Sequence, residues 1–328
     1  MNIAVTGSIA TDHLMSFDGR FADSLVPEAL AKISVSFLVE DLEVRRGGVG
    51  ANIAFGMGYL GLRPILIGAA GEDFEPYRAW LDRHGVDTGS VLISELKHTA
   101  RFVCTTDRDQ AQIASFYAGA MSEAREIELA PVAERVGGLD LVLIGANDPA
   151  AMARHTVECR ERGIPFAADP SQQVAWLSGE DIANLVDGAA YLFTNEYEAA
   201  VVEKKTGWST DDIAARVDVR VTTLGAEGAR IEARGAEPVH IPVATVERVV
   251  EPTGVGDAFR AGFLAGRSWG LELQRSAQVG SVLAAHVVET LGTQEYRLAR
   301  DTFVKRLSDA YGAAAAAEVE PHLAALRA

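Results

Sequence analysis

The sequence predicts an α/β fold, a Rossmann-like sandwich with a mostly parallel central sheet and a small additional β-sheet. Three observations predict it. Short apolar runs closed by turn residues recur along the chain, as strands buried on both faces require. Helical patterns lie between most of them, so the repeating unit is strand–helix–strand. Two stretches, 33–44 and 100–117, break that rhythm with β-branched and aromatic residues and no helix between their strand-like halves.

The first strand is Ile3-Ala-Val-Thr, followed by Gly7. Further strands are expected at 64–69, 141–145, 165–168, 190–194 and 219–224. Helices are expected at 51–60, 74–84, 149–162 and 196–204, and from Ala258 onward the chain reads as almost entirely helical, with an Ala-rich surface helix near its end. Ligands of open parallel sheets bind beyond the C-terminal ends of the strands. That places Gly7-Ser8, Asp169-Pro170, Asn195 and Gly225 around one opening. The stretch ARFVCTTDRDQAQIASFYAG, which starts at Ala100, reads as a hairpin turning near Asp107-Arg-Asp. Paired with the earlier β-rich stretch it makes a sheet too small to bury both faces. It is expected to cover a site, another subunit, or both. The organisation expected is one domain over 1–328, with a β lid from about 33–45 and 99–117 inserted in the α/β body.

Composition narrows the function. The chain has 328 residues, 48% of them hydrophobic, enough for a sizeable core. Its net charge of −16 repels a nucleic-acid backbone but permits a local phosphate site made of backbone N–H groups. The only cysteines are Cys104 and Cys159, without a Cys-x-x-Cys pair, which argues against a disulfide framework or thiolate zinc and fits the cytoplasm. The start, MNIAVTGSIATDH, carries no basic leader, and no stretch of about 20 apolar residues suggests a membrane span.

Some motifs fail. Gly266-Arg-Ser268-Trp-Gly270 has the spacing of a hydrolase nucleophile elbow but ends a helix, where strand, turn, then helix is needed. No Gly-Lys-Ser/Thr occurs, which excludes a P-loop, and Gly47-Gly48-Val-Gly50-Ala-Asn52 does not complete a dinucleotide fingerprint. Thr253-Gly254-Val255-Gly256-Asp257 survives. Its glycines allow close backbone approach, and the helix that follows offers free first-turn N–H groups to an anion. Asp257 then reads either as a helix cap or as a base beside an anion hole. Thr223-Leu-Gly225-Ala-Glu-Gly228 follows a strand and can lie against a phosphate or ribose, or be an ordinary turn. Asn195 and Glu198 share one helix face and suit Mg²⁺ held through water and phosphates, although Asn195 also reads as a cap.

Taken together, Gly47-Gly48…Asn52, Asn195-x-x-Glu198, Thr223-x-Gly225-x-x-Gly228 and Gly254-x-Gly256-Asp257 resemble the ribokinase/phosphofructokinase-B family of small-molecule kinases. The likeness covers essentially the whole chain and is greatest to adenosine kinases of actinobacterial type. It implies a ribokinase-like fold with a β lid, and ATP-dependent phosphorylation of the 5′-hydroxyl of adenosine, a step of purine salvage. A kinase for a free sugar or another nucleoside, or a non-catalytic nucleoside sensor, are the alternatives. The resemblance assigns Asp257 as base, with Gly254, Val255 and Gly256 as the anion hole. It gives Asn195 and Glu198 to Mg²⁺, and Asn195, Thr223, Gly225, Gly228 and Gly256 to ATP. Ser8, Asp12, Gly48 and Asn52 hold the sugar. A K⁺ site maps to Glu251 and the loop around Gly292. Phe102 and Phe116 can stack on a base or form lid and dimer core; Gln172 and Gln173 can read a purine edge or ribose, or face solvent. A homodimer through the lid is expected.

Overall fold

The computed structural model describes residues 1–25, 32 and 34–326. Thirteen strands are present among them: β1 Ile3–Thr6, β2 Ala10–Phe17, β3 Asp41–Gly47, β4 Ile65–Gly71, β5 Asp87–Ser94, β6 Ala100–Asp107, β7 Gln112–Tyr117, β8 Leu141–Ile144, β9 Phe166–Ala168, β10 Tyr191–Asn195, β11 Val219–Thr223, β12 Ala229–Ala233 and β13 Val239–Ile241. Nine form one sheet in the order β13-β12-β11-β10-β9-β8-β1-β4-β5, and four form a second in the order β3-β2-β6-β7. From β5 to β11 every pairing of the large sheet is parallel; only β12 and β13 run antiparallel. The expected body strands all appear, because each is an apolar run bounded by turn residues. Strands β5, β12 and β13 go beyond the expectation: they mix polar residues into the pattern, and they lie at or next to the edges of the sheet.

The large sheet is a core element with helices packed on it. Phe193 on β10 and Phe263 on the helix Val255–Ser268 are buried, with ring centroids 5.3 Å apart. Gly262 stands so close to Gly280 of the helix Leu273–Val288 that a Cβ on it would lie 2.7 Å from the Gly280 backbone. The two closely packed helices cover one face of this end of the sheet, the first against β10 and the second against β12 and β13. The Ala-rich helix Ala313–Val319 is not merely superficial: Ala315 and Val319 are fully buried.

The small sheet differs from expectation in its make-up. The hairpin β6–β7 forms as predicted, its turn held by the Asp107 carboxylate, which accepts from the N–H groups of Asp109 and Ala111. Ile33 lies outside the described residues, residues 34–39 have no regular structure, and the strand expected there is β3, running to Gly47. Strand β2 joins them, pairing antiparallel with β3 and parallel with β6. Its sequence, ATDHLMSF, intersperses polar residues, so it lacks the apolar run that betrays the body strands. The last third also departs from a continuous helical reading: the helix starts at Val255, three residues before Ala258, and residues 289–299 form a helix-free loop. That loop reaches into the opening above the sheet.

Candidate active site

The anion-hole motif takes the shape its glycines allow. Gly254 has φ 76° and occupies the N-cap of the helix Val255–Ser268, and a Cβ there would lie 2.8 Å from Thr293 Cγ2. Asp257 is the third helical residue, so it is not the cap; no side chain caps this helix. No capping side chain therefore satisfies the first-turn N–H groups at the dipole's positive end; that of Val255 makes a long bond to the Pro252 carbonyl at 3.4 Å. Asp257 retains some exposed surface but sits deep, and loss of hydration pushes its carboxyl up to about 7. A hydrogen bond donated by Asn52 Nδ2, 2.9 Å from Asp257 Oδ2, and the charge of Arg260 oppose that rise.

Arg260, one turn further along, was not singled out in the sequence. Its Nε donates to Asp169 Oδ2 at 2.7 Å, its Nη1 donates to the Gly256 carbonyl at 3.1 Å, and its Nη2 lies 4.0 Å from Glu198. Arg260 is 4% and Asp169 0% exposed. Burial pushes Asp169 and Glu198 up, and Arg260 draws both back. A signal was available: a cation in the second turn of a helix opposes the dipole, and one inside the apolar run 258–265 demands a buried carboxylate. The pair ties the end of β9 to the anion-hole helix.

The sugar-side residues gather on one face of the small sheet. Arg45, Asp12, Phe102 and Phe116 stand in one row across β3, β2, β6 and β7. Asp12 and Phe102, with Arg45, Glu251, Thr253 and Thr293, line a cavity of about 260 Å³ between the sheet and the anion-hole loop. Burial first, then the nearby Glu251, pushes the Asp12 carboxyl up to about 6, and Arg45 opposes this. Phe116 lies on the outer strand, 54% exposed, and does not line this cavity. Gly48 has φ 96°, and a Cβ on it would lie 2.5 Å from the Ser8 carbonyl. Ser8 Oγ accepts from the N–H of Val49, which commits it to the start of the helix Val49–Tyr59. Asn52 is bonded to Asp257 rather than left open to the cavity. Gln172 is exposed; Gln173 donates to the Asn147 carbonyl at 2.9 Å, and neither glutamine lines the cavity.

The nucleotide side is more open. Asn195 and Glu198 form a reciprocal capping box: Asn195 Oδ1 accepts from Glu198 N, and Glu198 Oε2 accepts from Asn195 N, both at 2.8 Å. The capping role is thus real, and it leaves Glu198 Oε1 uncommitted. Among the described residues no group of three or more His, Cys, Asp or Glu makes a metal cage. The donors fit Mg²⁺ held through water and phosphates and no tighter site. Thr223 pairs with Asn195 across β11 and β10, and Gly225 and Gly228 turn the chain into β12 beside them. The K⁺ expectation meets an obstacle. Glu251 Oε2 already accepts from Gly292 N at 2.7 Å and from Arg45 Nη1 at 3.2 Å. A guanidinium satisfies the carboxylate that a monovalent cation would need, so these residues do not fit one.

Residues 15–299 match the pfkB family carbohydrate kinases. The chain belongs to this family. As a pfkB-family kinase it is a phosphotransferase with an alcohol acceptor, and its large, mostly parallel sheet with a smaller second sheet is the ribokinase-like fold. It is 30% identical to a nucleoside kinase of Methanothermobacter thermautotrophicus, over 95% of this chain and 97% of that protein. The solved structure of Burkholderia thailandensis nucleoside kinase in complex with inosine is 33% identical, covers 94% of this chain and 98% of its own, and superposes with a TM-score of 0.80. The nucleoside kinase of Methanocaldococcus jannaschii, an archaeal member of the ribokinase family, is 26% identical in its solved structure, also with a TM-score of 0.80. No helix among the described residues is long and apolar enough to cross a membrane.

Proposed function

We propose that this kinase transfers the γ-phosphoryl group of ATP to the 5′-hydroxyl of adenosine, giving AMP and ADP, as a cytoplasmic step of purine salvage. The observation that carries this reading is Asp257: a carboxyl pushed up to about 7 in the first turn of a helix that no side chain caps, joined through Asn52 to Thr293, which lines the same cavity as Asp12. A base with a pKa near the working pH takes a hydroxyl proton most effectively. Asp257 removes that proton as the new P–O bond forms and the bond to the β-phosphate oxygen breaks. The N–H groups of Val255 and Gly256 hold the migrating group. Magnesium, when bound, neutralises phosphate charge, with Asn195 and Glu198 holding its water shell. Thr223, Gly225 and Gly228 support the nucleotide, Asp12 accepts from sugar hydroxyls, and Phe102 offers a face to the base. Closure of the small sheet over the sugar excludes water and limits ATP hydrolysis. The nucleoside kinases among its relatives support a nucleoside as acceptor.

The inosine complex of the Burkholderia relative favours a second reading, a broader nucleoside range. Measuring ADP release with adenosine, guanosine, inosine, ribose and fructose separates the readings. Adenosine is expected to give the highest kcat/KM; comparable values for inosine or guanosine establish the broader range, and a preference for ribose or fructose overturns both. Asp257→Asn is expected to cut kcat by at least ~10²-fold. Near-normal turnover would remove Asp257 as the base. The other face of the small sheet carries exposed Leu42, Val44 and Ile113. We assign it to a homodimer contact, which a monomer at micromolar concentration by light scattering would overturn.

A further inference from the structure

The hydrogen bonds behind Asp257 run in one direction, and a tryptophan sets it. Trp80 Nε1, on the helix Glu75–Arg83, lies 3.1 Å from Gln294 Oε1. An indole N–H only donates, so the Gln294 oxygen must be the acceptor and the orientation of its amide follows. Gln294 Nε2 then faces Asn52 Oδ1 at 2.9 Å and the Tyr77 hydroxyl. Tyr77 gives its own proton to the Gly47 carbonyl at 2.9 Å, so towards Gln294 it can only accept. The Thr293 hydroxyl stands 3.0 Å from Asn52 Oδ1 and 3.0 Å from the Arg46 carbonyl, a donor facing two acceptors. With its oxygen receiving, Asn52 has to turn Nδ2 towards Asp257 Oδ2. Gln294 is fully buried, and Asn52, Tyr77 and Thr293 are nearly so. Water therefore does not compete for these bonds, and reversing any amide leaves buried acceptors facing one another.

We propose that Gln294, oriented by Trp80, is a positioning residue for phosphoryl transfer: it fixes the Asn52 amide so that this donates to the Asp257 carboxylate. The proposal rests on reading Asp257 as the base. A donated hydrogen bond favours the ionised carboxylate, the form that accepts a proton, and works against the burial that favours the neutral form. The other charged groups acting on Asp257 are Arg260, which favours ionisation, and Asp169 and Glu198, which oppose it. None of these is bonded to Gln294, so changing Gln294 leaves them in place.

Two substitutions separate loss of the donor from its reversal. Gln294→Met removes the donor while keeping similar length. It is expected to lower kcat at pH 7 by up to about tenfold, the upper size of one lost neutral hydrogen bond, with the KM for ATP unchanged. Gln294→Glu places an acceptor opposite Asn52 Oδ1, so the Asn52 amide reverses and aims its oxygen at Asp257. The loss of kcat is expected to be larger than for Met, and the rising limb of the pH profile to move to higher pH in both. The second measurement needs no turnover: the carboxyl ¹³C titration of Asp257, assigned by the resonance missing in Asp257→Asn. Its midpoint is expected to rise in both variants. A wild-type midpoint and wild-type kcat in folded Gln294→Met overturn the proposal, and this variant carries the test alone if Gln294→Glu does not fold. A raised midpoint in a protein that phosphorylates no nucleoside or sugar supports the relay and overturns only the functional reading.

Discussion

Strand β4 in the large sheet is buried at all seven of its residues, whereas strand β7 in the small sheet is exposed at all six. Both are continuous strands of one molecule, so backbone pairing alone does not distinguish them. The large sheet is fixed by apolar side chains packed on both faces. The small sheet is held by pairing, by the Asp107 turn, by the ring cluster of Phe17, Phe21 and Phe37, by the Arg101–Asp73 ion pair and by one row of contacts towards the cavity. The side chains of its outer strand β7 are consequently freer to serve recognition and closure, because few buried contacts depend on them. The proposed chemistry is divided along the same line: the base and anion hole belong to the rigid body, and the sugar contact Asp12 to the sheet above it.

The largest expected effect tests this contrast in stability. Phe263→Ala deletes a fully buried ring packed on Tyr191 and Phe193 and is expected to cost about 3–5 kcal/mol. Phe116→Ala, on the exposed strand, is expected to cost under about 1 kcal/mol. Urea unfolding of the two variants compares them directly; equal costs would mean that the small sheet is as structural as the body. A smaller effect sharpens the division of labour. Asp12→Ala is expected to raise the nucleoside KM by at least about tenfold, the loss of a charged hydrogen bond, with kcat reduced much less. An unchanged KM would take Asp12 out of the sugar site.

The smallest effect concerns the buried charge in the body. The Asp257 carboxyl is raised in the folded protein to about 7, from an ordinary value of 3.8. The folded state therefore holds this proton more tightly than the unfolded state does. Stability from that preference is present below the unfolded value and is lost as pH rises through the folded one. Asp257→Asn removes the ionisation, so its melting temperature relative to wild type is expected to climb between pH 5 and pH 8, by about 2–4 °C. A difference that stays flat over that window would mean that Asp257 ionises in the fold as easily as in water.

Much of the body was legible from the sequence because its signals are local. A short apolar run closed by a turn residue reads as a buried strand, and β1, β8, β9, β10 and β11 appear where such runs occur, ended by Gly7, Gly145, Asp169-Pro170, Asn195 and Gly225. The glycine motifs were equally readable, since Gly48 and Gly254 adopt backbone angles that other residues resist. Strand β2 was not legible because polar residues interrupt its apolar pattern, and one of them, Asp12, faces a cavity that exists only once other segments surround it. In the sequence Asp257 reads as either cap or base, yet Gly254 fills the cap position. The distinction depends on where the helix begins, and glycine-rich sequence leaves that open by a few residues.

The sequence by itself determined the alternation of strands and helices, the small β-rich sheet, and the order of four motifs whose resemblance pointed to the kinase family. The tertiary structure alone decided which side chains act on one another. Asn52 meets Asp257 across 205 positions, Gln294 meets Asn52 across 242, and Arg260 meets Asp169 across 91. It also decided that Arg45 satisfies Glu251 and that Gln172 and Gln173 stay away from the cavity. The physical reason is range. Periodicity and turn chemistry act over a few residues, whereas the direction of a hydrogen bond and the partner of a buried charge depend on groups that only folding brings within about 3 Å.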